Sequence, residues 1–329
     1  MRFLIRLLAV ALCIDAGGAR ADERAGAEWP GWRGPGQAGS VNRGTFPFAP
    51  GDGLRVRWKR QLGTGYSSVS VVRGHAVTLF GDGRHDHVIS LEPRTGREQW
   101  RFRMGPTFKA PIQSNEGPLS TPVIHQGRVF ALGPHGRLVA LDLDTGRLAW
   151  SRDLVADFGA EVPYFGFATS PLAFGARVYV ESGGRSASLV AFDAETGATV
   201  WSAGEDSVTY QSPVAATLAG ETQIVFAGDT HLHGVRPDTG EILWTREHGV
   251  RADPEAVKQI VLGPGDLNPI SPVIVGDDGV LLTNYYGATS VLFRVSRAGA
   301  AYEVSEAWRN TNIRKTYTVP IVAGDHLYG

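Results

Sequence analysis

The stretch LVALDLDTGRLAW (138–150) decides the fold, because the chain repeats it. It consists of an apolar run, a turn at Asp-Thr-Gly and a tryptophan that opens another apolar run. A worn copy, VLFRVSRAGAAYEVSEAW, ends at Trp308. The repeat spacing of 43–51 residues is typical of propellers and solenoids. The other clear copies, which also place tryptophan five residues after threonine, are VISLEPRTGREQW (88–100), LVAFDAETGATVW (189–201) and LHGVRPDTGEILW (232–244).

One repeat, residues 120–150, predicts four short antiparallel strands. They are separated by Gln126-Gly127, by the loop 133–136 and by the Thr-Gly turn, and four such strands make one propeller blade. The fold class is therefore all-β, a propeller of four-stranded antiparallel blades. The same four-strand pattern fits four other segments: 67–100, 169–201, 211–244 and 270–308. Residues 318–329 repeat only the beginning of this pattern.

The recurring tryptophans are predicted to be structural. An indole is large enough to fill the wedge between two blades, and its buried N–H needs a partner such as a backbone carbonyl. Glycine after threonine suits a turn with positive φ, and the preceding acidic residue can cap backbone amides. The alternative role, stacking on a cofactor, fits a periodic residue poorly. The six tryptophans, the first from a lone fourth strand LRVRW (54–58), are Trp58, Trp100, Trp150, Trp201, Trp244 and Trp308.

The N-terminus resembles a secretory signal over residues 1–21. Arg2 and Arg6 precede an apolar stretch, and Ala-Arg-Ala at 19–21 matches a cleavage site. An N-terminal arm (22–53) and the propeller (54–329) follow. Export to the periplasm or beyond is predicted, and no later run is apolar enough to span a bilayer. With 32 basic and 33 acidic residues, the chain offers no electrostatic case for nucleic acid.

The blade signature A-L/F-D-x-x-T-G-x-x-x-W resembles the repeats of pyrroloquinoline-quinone-like β-propellers. That superfamily includes quinoprotein alcohol dehydrogenases and the outer-membrane-protein assembly propeller lipoprotein. A group of secreted bacterial propellers is more similar still, and the resemblance covers residues 29–329. It implies an eight-bladed ring, of which this chain holds about five and a half blades as a fragment. The stretches that carry this resemblance are WPGWRGP (29–35), GYSSVSV (65–71), FALGPHG (130–136) and DLVADFG (153–159).

The resemblance implies pyrroloquinoline quinone with calcium, but the residues of this chain do not support that cofactor. Quinoprotein dehydrogenases hold the quinone under two adjacent cysteines, whereas Cys13, inside the signal, is the single cysteine here. Their aspartate base and their calcium ligands, a glutamate and an asparagine, map onto no stretch of this chain. We therefore predict no catalytic residue, and the residues that would bind a cofactor stay open, with the quinone and calcium implied by the resemblance alone.

The leading functional hypothesis is a non-enzymatic binding or assembly scaffold in the cell envelope. Its partner would be an envelope protein or peptide segment. Two alternatives stay open: a periplasmic quinoprotein oxidoreductase acting on alcohols or sugars, and a carbohydrate-binding propeller.

Long loops at 104–118, 152–168 and 246–269 fall on one face of the predicted ring, and the Thr-Gly turns fall on the other. We call these the long-loop face and the turn face. A short helix is expected after Asp253-Pro254. Aromatic residues gather where the innermost strands begin at the long-loop face, which predicts an uncharged funnel for a ligand; the alternative is that they plug the channel as core. The funnel residues are Tyr66, Tyr164, Phe165, Tyr210 and Tyr317.

Two pairs of histidines, His85 with His87 and His231 with His233, are each two residues apart. This spacing places both rings of a pair on one side of a strand. A metal site needs a third ligand, and the loops in question belong to different blades. The prediction is solvated loop histidines and no metal site. The motif GPGQAG (34–39) matches a dinucleotide fingerprint but follows no strand and opens no helix, so it is rejected.

Overall fold

The computed structural model describes residues 28–40, 55–110, 116–208, 210–248, 271–283, 290–311 and 319–329. The predicted signal at 1–21, the predicted helix after Asp253 and Tyr317 lie outside these residues. Nearly all described regular structure is β-strand. The exceptions are a 3-10 turn at Pro35–Gln37 and a short helix, α1, at Leu154–Phe158.

The strands form five four-stranded sheets and one two-stranded sheet, and every pairing is antiparallel between consecutive strands. This arrangement confirms the predicted propeller blades. Blade one is β1–β4: Ser70–Val72, His75–Gly81, His85–Leu91 and Glu98–Pro106. Blade two is β5–β8: Val123–His125, Arg128–Leu132, Arg137–Asp142 and Leu148–Asp153. Blade three is β9–β12: Leu172–Phe174, Arg177–Gly184, Ala187–Asp193 and Thr199–Ala203.

The later blades repeat this order. Blade four is β13–β16: Val214–Leu218, Glu221–Ala227, His231–Val235 and Ile242–Glu247. Blade five is β17–β20: Val273–Val275, Gly279–Thr283, Ser290–Ala298 and Ala301–Asn310. The two-stranded sheet is β21 and β22: Ile321–Ala323 and His326–Tyr328.

The second and third strands of blades two to four are buried on both faces, because a neighbouring blade covers each face. In blade one, Trp58 and Leu62 pack against the face that no described blade covers. In β6, Val129, Phe130 and Leu132 are fully buried although they alternate between the two sides of the sheet. The hydrophobic core is accordingly a series of clusters between successive blades. Double-sided burial explains why these strands are apolar throughout and do not alternate apolar with polar residues.

Each tryptophan occupies the same position in its sheet. Trp150 on β8 pairs with Ala140 on β7, and a β-bulge follows directly. Equivalent bulges follow the tryptophan pairs in the other four blades. The residue opposite the indole is small in four of the five blades, which leaves room for the ring. These small partners are Ser90, Ala140, Ala191 and Gly234.

The indoles fasten each blade to the next through their N–H groups. In three blades the bond goes to a backbone carbonyl beside the Thr-Gly turn of the following blade: Trp100 to Leu143 at 2.7 Å, Trp150 to Ala194 at 3.1 Å and Trp201 to Pro237 at 3.0 Å. Trp58 makes the same bond to Pro93 of blade one at 2.9 Å. Trp244 donates instead to the Gln223 side chain of its own blade at 2.6 Å, since the worn blade five lacks the turn.

The Thr-Gly turns are built by their acidic residue and packed by their glycine. Oδ1 of Asp142 accepts hydrogen bonds from both the N–H and the hydroxyl of Thr145, at 2.9 and 2.6 Å. Gly146 has φ +68°, and a Cβ there would stand 2.6 Å from the Trp100 indole. Glycine is therefore required twice, by its backbone angle and by the ring against it.

The expected lone strand before blade one is not formed over the part the structure describes. Residues 55–60 belong to no strand, because no sheet in the described part of the chain pairs with them. Trp58 nevertheless donates its indole N–H to blade one, as the tryptophan of a fourth strand would. Helix α1 was not expected from the sequence. Asp153 caps it by accepting from Val155 and Ala156, and Gly159 ends it at φ 65°.

Candidate functional site

The base of the long-loop face is a chain of hydrogen bonds between the innermost strands. In each link, a backbone N–H donates to a hydroxyl of the next blade. The hydroxyl belongs to the residue before the recurring proline. Proline restricts the backbone of that preceding residue to an extended conformation. The four links join blades one to five: Ser68 to Thr121 at 3.2 Å, Thr121 to Ser170 at 3.0 Å, Ser170 to Ser212 at 2.9 Å and Ser212 to Ser271 at 2.8 Å.

The sequence analysis missed this chain, although its signal was present. Serine or threonine stands immediately before Pro122, Pro171, Pro213 and Pro272. The hydroxyls are buried, so each bond is shielded from water and holds the rim of the channel in a fixed geometry. Val319 stands before Pro320 and has no hydroxyl with which to continue the chain.

Three of the five predicted funnel residues form one aromatic cluster on this rim. Tyr164 meets Phe165 edge to face with ring centroids 4.9 Å apart, and Phe165 lies 6.1 Å from Tyr210. The hydroxyl oxygen of Tyr210 accepts the backbone N–H of Phe165 at 3.2 Å. The cluster therefore joins the loop after α1 to the beginning of blade four, directly above the bonded pair Ser170 and Ser212.

Tyr66 lies on the same rim, and 61% of its surface is exposed. Its backbone N–H donates to Pro118 at 2.9 Å. Among the described residues, no ring contact joins Tyr66 to Tyr164, Phe165 or Tyr210. Tyr317 falls outside the described residues.

The channel below the rim holds the N-terminal arm, residues 28–40. Trp29 pairs with Val71 of blade one through two backbone hydrogen bonds, and Pro30 accepts from Ile124 of blade two at 2.6 Å. Further along, Gln37 donates to Pro213 at 2.9 Å and accepts from Ala215 at 3.1 Å, both on the first-strand side of blade four. Arg33 donates to Pro320 at 2.8 Å.

These contacts reach innermost strands on several sides of the ring, so the arm crosses the channel. The aromatic rim therefore lies above a channel that the arm crosses. The rejected motif 34–39 belongs to this arm, where Gly34 packs against the Trp29 indole. Gly39 packs against Arg33 and Ile321, whereas a Cβ on Gly36 would meet nothing within 4 Å.

Glu181 is the one carboxyl group at a position that other blades keep free of charge. This position lies on the second strand, two residues after the residue that pairs with the start of the first strand. In blades one, two, four and five it is occupied by Leu79, Leu132, Ala227 and Thr283. Glu181 is 1% exposed, and neither carboxylate oxygen has a hydrogen-bond partner in the described part of the chain. Burial, and to a smaller extent the charge of Asp229, raise its pKa well above the usual value.

The described residues do not fit a quinone–calcium centre. Calcium requires six to eight oxygen ligands. Glu181 supplies one carboxylate and, among the described residues, belongs to no group of three potential metal ligands. Asp229, its nearest acidic neighbour, accepts hydrogen bonds from Ser207 at 2.7 Å and Gln211 at 3.4 Å. Within the described ranges, the one group of three potential metal ligands lies elsewhere, in blade one.

Comparison with known proteins agrees with the propeller fold. A family model described as outer membrane protein assembly factor BamB matches residues 84–329. BamB of Kangiella koreensis is 27% identical over 233 residues, which are 69% of this chain and 50% of that protein. Quinohemoprotein alcohol dehydrogenase ADH IIB of Pseudomonas putida is 27% identical over 224 residues, covering 63% of this chain and 31% of the enzyme. The chain thus spans half or less of the length of these curated relatives.

Among solved structures, BamB from Moraxella catarrhalis aligns with a TM-score of 0.52 and 18% identity. The alignment covers 78% of this chain and 67% of that one, and it supports the same architecture. In the portion of the chain that the structure describes, no helix has the length and hydrophobicity to cross a membrane.

Proposed function

Because this chain belongs to the family whose model is described as outer membrane protein assembly factor BamB, we propose that it is an exported, non-enzymatic scaffold of the cell envelope. It holds a partner protein, through an extended peptide segment, on the long-loop face. The relatives named as assembly factors support a scaffold role. Export follows from the charged, apolar and small-residue order of residues 1–21.

The aromatic rim is the observation on which this proposal rests. Tyr164, Phe165 and Tyr210 pack together on a base held by the Ser170–Ser212 hydrogen bond. Exposed Tyr66 lies on the same face. Rigid aromatic rings bury a large area at small cost in conformational entropy, and tyrosine is enriched at protein interfaces for that reason. The arm crosses the channel, so a partner would lie across the rim and would not thread through the ring.

The test is capture of partners from envelope extracts by the full-length protein. The wild type is compared with a variant that carries both Tyr66→Ala and Tyr210→Ala. Tyr328→Ala is the matched control, because Tyr328 is 60% exposed but lies on β22, away from the rim. The rim variant should lose partners that the wild type and the control retain. Recovery of the same partners by all three proteins contradicts the proposal.

A quinoprotein oxidoreductase is the second candidate, and the match to the Pseudomonas putida alcohol dehydrogenase favours it. The unpartnered carboxylate of Glu181 is the one described feature that such a centre could use. Full-length protein mixed with the quinone and calcium would then retain the quinone absorbance through gel filtration. It would also reduce a dye with alcohols or sugars. Absence of both signals removes this candidate without affecting the scaffold proposal.

A further inference from the structure

The loop between β2 and β3 of blade one brings together three side chains that can bind a metal ion. Asp82, His85 and His87 each offer one ligand atom, and these atoms all lie within 4.8 Å of one another. Oδ2 of Asp82 is 2.8 Å from Nε2 of His87. The histidine pair was noted in the sequence, but the third ligand was sought in other blades. It comes from the same loop.

Two of the three ligands are held in place before any ion binds. Oδ1 of Asp82 accepts the backbone N–H groups of Arg84 and His85, at 2.8 and 2.7 Å, so the turn is fixed by one oxygen while the other faces His87. His87 is 8% exposed, and its ring stacks on Phe80 with centroids 5.2 Å apart. His85 begins β3 and is partly exposed, so its ring is free to adjust.

The donor set selects the class of metal. Two imidazoles and one carboxylate suit zinc and the other late divalent metals of the first transition row, whereas calcium and magnesium prefer all-oxygen sets. Bonds of about 2.0–2.2 Å would place neighbouring ligand atoms about 3.0–3.5 Å apart. The closure needed from the present spacing is a side-chain movement of His85, since Asp82 and His87 are already 2.8 Å apart.

We propose that Asp82, His85 and His87 form a three-ligand site for a zinc-class divalent metal ion on the long-loop face. Three protein ligands leave at least one coordination position for water or for a ligand atom from a partner. The site is independent of the aromatic rim and of the proposed scaffold role.

Blade four provides an internal control for this proposal. His231 begins β15, and His233 stacks on Phe226 with centroids 4.6 Å apart, as His87 stacks on Phe80. In blade four, however, Oδ2 of Asp206 accepts the N–H groups of Thr230 and His231, and Nδ1 of His233 pairs with Thr245 at 3.0 Å. No three-ligand group forms there among the described residues. Asp206 lies 3.6 Å from His231, but the buried His233 pairs with Thr245 and not with a carboxylate. A histidine pair with a nearby aspartate is therefore not sufficient, and the difference in blade one is the contact of Asp82 with the buried His87.

The experiment titrates the untagged full-length protein with Co²⁺, followed by visible absorption, and with Zn²⁺, followed by calorimetry. We expect one saturable ion per chain and a higher melting temperature in zinc. Asp82→Asn and His85→Ala should each weaken binding at least tenfold, by comparison with the 10–100-fold losses known for supporting residues. Asp82→Asn keeps an oxygen for Arg84 and His85 and should preserve the turn. His231→Ala should bind as the wild type does.

Two results would overturn the proposal. One is a wild type that shows no saturable one-to-one binding; the other is a His231→Ala variant weakened as much as His85→Ala. Should His85→Ala fail to fold, Asp82→Asn decides, with circular dichroism to verify its fold. Zinc should raise the melting temperature of the wild type and leave that of Asp82→Asn unchanged. Excess calcium or magnesium should not displace bound Co²⁺.

Discussion

The indole N–H of Trp150 donates to the backbone carbonyl of Ala194 at 3.1 Å, although the two residues belong to successive blades. The same indole lies against Gly197 of the next Thr-Gly turn. One side chain therefore both fills the wedge between two sheets and satisfies a polar group at their junction. Each blade depends on its neighbour for burial and for this hydrogen bond, as expected for repeat proteins.

Replacing Trp150 with phenylalanine should lower the free energy of unfolding by about 1–3 kcal/mol. The change removes the bond to Ala194 and leaves a buried carbonyl without its partner. Trp308→Phe is the control, since the indole of Trp308 is only partly buried in worn blade five; it should cost no more than about 0.5 kcal/mol. Urea denaturation measures both variants. Equal losses would mean that the fastening bond contributes nothing specific.

Substitutions at two glycines distinguish the destabilisation caused by an unfavourable backbone angle from the destabilisation caused by a steric clash. Gly197 and Gly175 have similar angles, φ +72° and φ +59°. A Cβ on Gly197 would stand 2.5 Å from the Trp150 ring, whereas a Cβ on Gly175 meets nothing within 4 Å. Gly175→Ala should therefore cost about 1–2 kcal/mol. Gly197→Ala should cost about 1–3 kcal/mol more. Thermal unfolding of the two variants tests this difference, and similar melting temperatures would refute it.

Glu181 should make the protein less stable as pH rises from acid to neutral. Burial raises the folded-state pKa above the unfolded value of 4.5, so the folded state retains a proton that the unfolded state releases. The stability gained from the neutral form is present below 4.5 and is lost as pH rises toward the folded pKa.

The variant Glu181→Leu, which copies blades one and two, isolates this effect. It should be more stable than the wild type at pH 8, and the advantage should shrink at pH 4. Urea denaturation at both values measures the change in the difference between the two proteins. A constant difference across this range would show that Glu181 does not titrate with folding.

His233 should have the opposite pH dependence. Burial lowers its pKa from 6.5 to about 4, an effect that nearby His231 and His248 strengthen and Asp206 opposes. The folded state therefore binds fewer protons than the unfolded state between these values, and stability falls as pH drops from 6.5 toward 4. NMR titration of the His233 ring should give a midpoint near 4. A midpoint above 6 would mean that the ring is solvated.

Much of the fold was predictable because its signals are local. The spacing from Thr145 to Trp150 repeats in four blades, and turn chemistry with double-sided apolar strands predicts a blade wherever the copy occurs. The fourth strand expected at 54–58 failed for a non-local reason, since a strand requires a partner that the described chain does not supply there. Helix α1 was missed although its cap, Asp153, and its terminal Gly159 are both visible in the sequence.

The candidate sites were less predictable, because they depend on which loops meet. Phe165 belongs to the loop after α1 and Tyr210 to the start of blade four, and they meet through a ring contact and a hydrogen bond that join residues 45 positions apart. The third proposed metal ligand, Asp82, was not predicted, because its approach to His87 depends on the tight turn that its own carboxylate builds with Arg84 and His85.

The sequence by itself determined the blade, since strand length, turn type and the tryptophan position follow from interactions within some thirty neighbouring residues. The tertiary structure alone decided what crosses the channel and which polar groups are enclosed. Arg33 meets Pro320 across 287 residues of chain, and Glu181 is buried only because blades close on both sides of it. Such relationships arise from the curvature of the assembled sheets, which brings together residues that no local pattern connects.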